Sequence, residues 1–155
     1  MGIEAKAFSV PGKVPLYREG EIAEDAMFEA DGFTLGLEVR SGDARFAYVA
    51  NCAAITDDVA ARLKGMPLAF VDGTLFTDDE MIVQGVGQKT GRRMGHMSIS
   101  GADGSLARLK SLGIRRKIYI HINNTNPILL SDSPERRQVE AEGFEVAYDG
   151  MEVRL

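Results

Sequence analysis

Alternation is the strongest pattern along the chain. Phe33, Leu35, Leu37 and Val39 alternate with Thr34, Gly36, Glu38 and Arg40, the period-two signature of a strand buried on one face. Ser41-Gly42-Asp43 supplies turn chemistry and residues 45–50 a second strand, so the pair predicts a hairpin. Upstream, residues 5–10 form a short strand-like segment ended by the Pro11-Gly12 turn. Residues 13–17 suit an edge strand, because Pro15 has no N–H to give to a ladder. Residues 18–32 are acidic, lack a period and read as a solvated loop.

Beyond the hairpin, strand and helix patterns take turns. Thr56 is placed to cap a helix with Asp57 and Asp58 at its positive dipole end, an apolar stripe of Val59, Ala60 and Leu63, and a stop at Gly65 and Pro67. Residues 68–71, Leu-Ala-Phe-Val, predict a strand buried on both faces that ends at Asp72-Gly73-Thr74. Thr77 is expected to cap a short helix through Asp78, Asp79, Glu80 and Met81. Residues 84–95 hold four glycines and predict a loop. Asp103 or Ser105 starts a helix carrying Leu106, Leu109 and Leu112, with Gly113 as its stop. Residues 117–122 form a β-prone strand that runs into Asn123-Asn124-Thr125-Asn126-Pro127. Ser133-Pro134 opens a helix that Gly143 ends, and residues 144–148 and 151–155 flank Asp149-Gly150 as a closing hairpin. Hairpins first, then strands alternating with helices, predict an α/β (α+β) class: a mixed sheet with flanking helices in a single domain over 1–155.

Composition narrows the function classes. The 155 residues are 45% hydrophobic and 26% charged, an ordinary globular balance, with a net charge of −5. The acidic balance argues against nucleic acid or an anionic membrane surface as partner. No apolar run approaches the ~20 residues needed to span a bilayer, and the first six residues lack a signal-peptide profile. Cys52 stands alone and cannot form an internal disulfide, so a reducing, cytoplasmic setting is expected.

The candidate chemistry is sparse. Only two histidines occur, His96 directly after the glycine-rich loop and His121 near the end of an apolar strand. An imidazole at a strand end can point into a cleft to bind metal or move protons, or can be a hydrogen-bonded structural group. Asp72 holds the equivalent place on another strand, as ligand or as turn former. Their wide spacing is no compact zinc motif. Cys52 reads as a small buried hydrophobe. The glycine loop fails the phosphate-loop pattern, since Gln88 precedes Lys89-Thr90, and it fails the dinucleotide pattern, since Thr90 stands where the third glycine belongs. Lys89, Arg92 and Arg93 form a basic cluster that is either solvated or able to hold a carboxylate-rich ligand. Asn123 and Asn124 satisfy backbone groups in a tight loop or contact such a ligand.

Several blocks, in order, resemble the coenzyme PQQ synthesis protein B family: Phe70-Val71-Asp72-Gly73-Thr74-Leu75-Phe76, Asp78-Asp79-Glu80-Met81, Lys89-Thr90-Gly91-Arg92-Arg93-Met94-Gly95-His96-Met97 and His121-Ile122-Asn123-Asn124-Thr125-Asn126-Pro127. Asp132-Ser133-Pro134-Glu135-Arg136 and Tyr148-Asp149-Gly150-Met151 extend the likeness, which covers about residues 8–155. The resemblance implies half of a metallo-β-lactamase-like αββα sandwich. It identifies the chain with the C-terminal half of proteins about twice as long, whose first half carries a cysteine-rich motif and an Asp/His metal motif. It also implies that His121 is a metal ligand, that His96 is a ligand or substrate-polarising group, and that Asp72 completes the set; His96 and Asp72 are the expected catalytic pair. The superfamily's bridging aspartate is expected near residues 50–53, which read Ala-Asn-Cys-Ala without a carboxylate, so a mononuclear site is expected.

The activity implied is a metal-dependent oxygenation of a tyrosine-derived precursor of pyrroloquinoline quinone. A carrier of the quinone or its precursor and a metal-dependent hydrolase are the alternatives. Fe(II) is the implied cofactor and Zn(II) the alternative, with weak or absent binding by this chain alone. Lys89, Arg92, Arg93, Asn123 and Asn124 are the expected contacts for the small-molecule or peptide-derived precursor. The implied protein partners are the other half, on the same or another chain, and further copies of this chain.

Overall fold

The structure, a computed structural model, describes residues 2–13 and 32–155. The edge strand expected over 13–17 and the acidic loop expected over 18–32 lie, apart from their outermost residues, outside the described residues. Six strands form one mixed sheet in chain order: β1 (Glu4–Ser9), β2 (Leu35–Ser41), β3 (Ala44–Val49), β4 (Leu68–Asp72), β5 (Arg116–Ile120) and β6 (Phe144–Val146). β1, β2 and β3 pair antiparallel, and β3 through β6 pair parallel. Each parallel step needs a crossover, and helices supply it: α1 (Asp57–Leu63), α2 (Glu80–Val83) with α3 (Ser105–Lys110), and α4 (Pro134–Ala141).

The helix ends obey local chemistry. The Thr56 hydroxyl accepts from the Val59 N–H at 3.4 Å, and the Ser133 hydroxyl accepts from the Arg136 N–H at 2.9 Å with Pro134 opening the turn. Two expectations are corrected here. Thr77 does not cap a helix at Asp78; α2 starts at Glu80, whose carboxylate turns back to accept the Phe76 N–H at 2.7 Å. Residues 151–155 form no strand, so the closing hairpin is absent. β6 instead pairs parallel with β5, and the Met151 N–H closes a turn on the Tyr148 carbonyl. The Asp149-Gly150 signal is a real turn, but Met151, Val153 and Leu155 beyond it line a groove of about 510 Å³ with Phe46, Leu68, Phe70 and Ile120.

Period-two alternation assigns the two faces of the sheet different fates. Ala47, Val49, Ala69, Val71, Tyr119, Phe144 and Val146 share one buried core with Val59 and Leu63 of α1, Leu106 and Leu109 of α3 and Val139 of α4. Tyr119 stacks on Phe144 at 4.9 Å, and its hydroxyl pairs with that of Ser105 at 2.8 Å, which ties α3 to β5. Side chains of opposite parity, Leu35, Phe46, Tyr48 and Phe70, are exposed or half-buried. Phe46 meets the Phe70 ring edge-on at 5.6 Å. One face is therefore a finished core, and the other is an apolar surface with aromatic rings at its centre. Among the described residues no helix is long and apolar enough to cross a membrane.

The end of β4 is threaded past β5 without room to spare. A Cβ at Gly73 would stand 2.9 Å from Tyr119 Cβ and 3.1 Å from the Ile120 carbonyl oxygen. Gly73→Ala should therefore destabilise the fold by about 1–3 kcal/mol, read from denaturant unfolding; an unchanged midpoint would contradict this account of the strand ends.

Candidate metal centre

Three polar side chains reach one point from separate ends of the sheet. Asp72 closes β4, His121 follows β5 directly, and His96 follows the 3-10 turn Arg92–Met94. Gly95 sets His96 in place: its φ of 85° suits glycine, and a Cβ there would collide with the Lys13 backbone. His121 has φ 54°, a left-handed conformation rare outside glycine and a form of strain found where a side chain is held for a purpose. One ligand atom from each of Asp72, His96 and His121 lies within 4.8 Å of the others.

Asp72 is 2% exposed and fully engaged. Oδ2 accepts the Cys52 N–H at 2.9 Å and lies 2.7 Å from His96 Nδ1. Oδ1 accepts the Thr74 N–H at 3.1 Å and the Thr74 hydroxyl at 2.6 Å. Residues 50–53, where the resemblance implied a bridging aspartate that the sequence lacks, contribute a backbone donor to the carboxylate of β4. Asn51 Oδ1, beside it, is buried without a hydrogen-bond partner among the described residues. His121 Nδ1 lies 3.8 Å from Asp72 Oδ1, too far for a direct hydrogen bond, and 2.9 Å from the Thr74 hydroxyl. The imidazole rings are 5.2 Å apart, with His96 buried and His121 exposed on one side.

Burial pushes the Asp72 pKa up, but the His121 and His96 imidazoles and the Thr74 hydroxyl outweigh it, so the carboxyl sits below its ordinary 3.8. The Asp72 carboxylate holds His121 above the usual 6.5, against the opposing effect of partial burial. Burial pushes the Cys52 thiol up to about 12 and its hydrogen goes to the Ala54 carbonyl, so it offers no thiolate. The donor set is one ionised carboxylate and two imidazoles, a borderline N/O combination that suits Zn(II) or Fe(II) and leaves coordination positions open. These residues fit a cation.

The other expected contacts are dispersed. Arg92 lines a cleft of about 580 Å³ with His96, Ser98, Ser100, Asp103 and Arg108, while its backbone N–H is held by Asp78 at 2.7 Å. The Arg93 N–H is held by Thr90, and its side chain is exposed; Lys89 is half-buried. The Asn123 N–H donates to the Thr74 carbonyl at 3.1 Å and its amide to Thr125 at 2.7 Å, so it locks the loop after His121; Asn124 is exposed. Sequence reasoning missed Thr74, Glu80 and Asn126. The buried Glu80 carboxylate accepts the Thr125 hydroxyl at 2.6 Å, and the Asn126 amide donates to the Gly73 carbonyl at 2.8 Å. The available signals were the Asp-Gly-Thr triplet at a buried strand end and an acidic residue at the start of a short helix.

Comparisons with known proteins identify the family and the fold. A family described as the beta-lactamase superfamily domain matches residues 2–122. The chain is 58% identical over 155 residues to a coenzyme PQQ synthesis protein B of Rhizobium meliloti and 52% identical over 153 residues to one of Xanthomonas campestris, covering 99% of this chain in both and 50% and 51% of those proteins. The chain thus spans about half the length of the curated relatives it matches. The crystal structure of Zn(2+)-bound PqqB from Methylobacterium extorquens superposes with a TM-score of 0.88 at 46% identity, covering 99% of this chain and 51% of that one. The metallo-beta-lactamase fold protein YhfI from Bacillus subtilis superposes with a TM-score of 0.61 at 11% identity over 96% of this chain and 48% of that one, a likeness of fold alone.

A cation and a proton compete for His121. In the metal-free protein, Zn(II) affinity measured by competition titration should rise as pH is taken upward through and beyond 6.5, with proton release. Asp72→Asn removes both a donor and the cause of the raised His121 pKa, so it should weaken binding and move the pH dependence downward. An affinity flat across about pH 5 to 8 would contradict this assignment.

Proposed function

The chain belongs to the beta-lactamase superfamily, and on that footing we propose that it contributes its sheet-edge residues to a metal centre acting in pyrroloquinoline quinone synthesis. The observation that carries the reading is the two-histidine, one-carboxylate set, Asp72, His96 and His121, gathered at the ends of β4 and β5. That donor set is the one non-haem Fe(II) oxygenases use. Support for the pathway comes from the names of the relatives, which match nearly every residue of this chain.

Bound Fe(II) would supply dioxygen activation beside a phenol, and the reaction proposed is hydroxylation of the ring of a tyrosine-derived precursor. One atom of dioxygen enters a ring C–H bond, and the other leaves as water with two electrons and two protons from an external two-electron reductant, which the assay must include. In this reading Asp72, His96 and His121 hold the cation, and His96 also borders the substrate cleft. Arg92, which lines that cleft, holds precursor carboxylates through its paired donors, with Lys89 and Arg93 adding positive charge on the same loop. Asn123 and Asn124 belong to the loop after His121, and in this reading they contact the precursor from there. The apolar face carrying Leu35, Phe46, Tyr48 and Phe70 is covered by a second sheet of the superfamily sandwich, supplied by the remaining half-length of the relatives, on the same or another chain. A zinc-dependent reaction is the second reading, favoured by the Zn(2+)-bound relative.

Oxygen uptake decides between them. The protein joined with its complementary half and loaded with Fe(II) is expected to consume oxygen when given a peptide-derived tyrosine precursor, and His121→Ala is expected to reduce that rate by at least about tenfold. Uptake no greater than that of the variant, with two tightly held zinc ions per site, would favour the hydrolytic reading; tight quinone binding that survives chelator and His121→Ala would favour a carrier.

The same proposal predicts how the chain behaves alone. In light scattering it should self-associate, and Phe70→Lys in the middle of the open face should shift it toward monomer. A wild-type monomer with no partner would contradict the role given to that face.

A further inference from the structure

Besides Asp72, one other carboxylate among the described residues is buried, that of Glu80 at 5% exposure. Both of its oxygens are committed to neutral donors: Oε2 accepts the Phe76 N–H at 2.7 Å and Oε1 accepts the Thr125 hydroxyl at 2.6 Å. A carboxylate taken out of water is costly, and a helix of four residues does not require one. Its partners show what it joins. Thr125 accepts the Asn123 side-chain amide at 2.7 Å, and the Asn123 N–H donates to the Thr74 carbonyl at 3.1 Å. The Asn126 amide donates to the Gly73 carbonyl at 2.8 Å, and its N–H donates to the Asn123 carbonyl at 2.9 Å. The two asparagines thus fasten the loop after His121 to the end of β4, and Glu80 fastens the same loop to α2. On its other side, Phe76 gives its carbonyl to the Ser100 N–H at 3.0 Å and the Ser100 hydroxyl at 2.7 Å, on the segment that follows His96. One carboxylate therefore bridges the chain segments downstream of both histidines.

His121 needs such a hold. Its φ of 54° is strained for a residue with a Cβ, and its side chain is 51% exposed, so its own packing does not keep it there. A conformation of this kind persists only where the surroundings over-determine it. We propose that Glu80 is a positioning residue for the metal centre: through Thr125 its carboxylate clamps the loop of residues 121–126 and keeps His121 beside Asp72 and His96 before a cation arrives. The inference rests on the metal-centre reading of the proposed function but not on oxygenation.

The test uses the full chain, with Zn(II) as probe. Glu80→Gln leaves one oxygen for two donors; Thr125→Val keeps the shape of threonine without its hydroxyl, and Thr125→Ser keeps the hydroxyl. In the metal-free protein, amide hydrogen exchange at Asn123 and Asn126 should quicken roughly 10–100-fold in Glu80→Gln and in Thr125→Val, while amides of β4 and β5 keep their rates. Thr125→Ser should stay within about threefold of the unaltered protein. Competition against a chromophoric chelator should show Zn(II) bound about tenfold more weakly by Glu80→Gln and by Thr125→Val. The double variant should be no weaker than the weaker single one, because both cut the same link. Thermal melting followed by circular dichroism checks that each variant is folded; if Glu80→Gln is not, the two Thr125 variants carry the test. Unaltered exchange at Asn123 and Asn126 overturns the proposal. So does exchange quickened equally in β4 and β5, or Zn(II) affinity unaltered in a protein whose binding His121→Ala abolishes. Zn(II) binding that is absent, or indifferent to His121→Ala, removes the metal-centre reading itself, and this role with it.

Discussion

A carboxylate taken almost wholly out of water is the constraint around which the rest is arranged. Asp72 is 2% exposed, and an ion so placed is tolerated only when donors replace its hydration. Here the donors are the Cys52 and Thr74 backbone N–H groups, the Thr74 hydroxyl and the His96 ring. They come from the loop after β3, from the end of β4 and from the segment after the glycine-rich loop, so the charge organises three separate stretches of chain. Removing a partner from such a group costs more than the pair contributes, because the ion is left unpaired. The strand order delivers these groups: β3, β4 and β5 run parallel, and their C-terminal ends lie side by side where open α/β sheets place their chemistry.

The second constraint is the unequal treatment of the sheet's faces. On one side three helices complete a core; on the other Phe46, Tyr48 and Phe70 form an aromatic cluster with a partly exposed surface. An apolar surface of this kind is characteristic of one layer in a sandwich, and the relatives are about twice as long as this chain. The centre lies at the end of that sheet, with His121 exposed on one side. The open face and the cluster of Asp72, His96 and His121 therefore belong to the same sheet, and the proposed function has one further segment serve both.

Much of this was legible from residue patterns, and the exceptions have a common cause. The alternation from Phe33 to Val39 and the caps at Thr56 and Ser133 act within a few residues, and the hairpin and both helices stand where they were expected. His96, His121 and Asp72 stood out because the chain has only two histidines and each site residue follows a strand or loop signal. Thr74 did not, because its partner His121 lies 47 residues away and a threonine after Asp-Gly reads as turn chemistry. Glu80 was hidden in the same way: a first-turn acid normally faces solvent near the helix dipole, but this one is buried against the loop of Thr125. The turn at Asp149-Gly150 predicts a hairpin that does not form, because turn residues carry no information about which strand the tail will meet.

The most direct test is to see where a cation sits. An anomalous-scattering crystal structure of the protein loaded with Zn(II) or Fe(II) should place one metal bound by Asp72, His96 and His121 at about 2.0–2.2 Å from a donor atom of each. A fully loaded metal bound elsewhere, with the two imidazoles still turned only toward Asp72 and Thr74, would contradict the account.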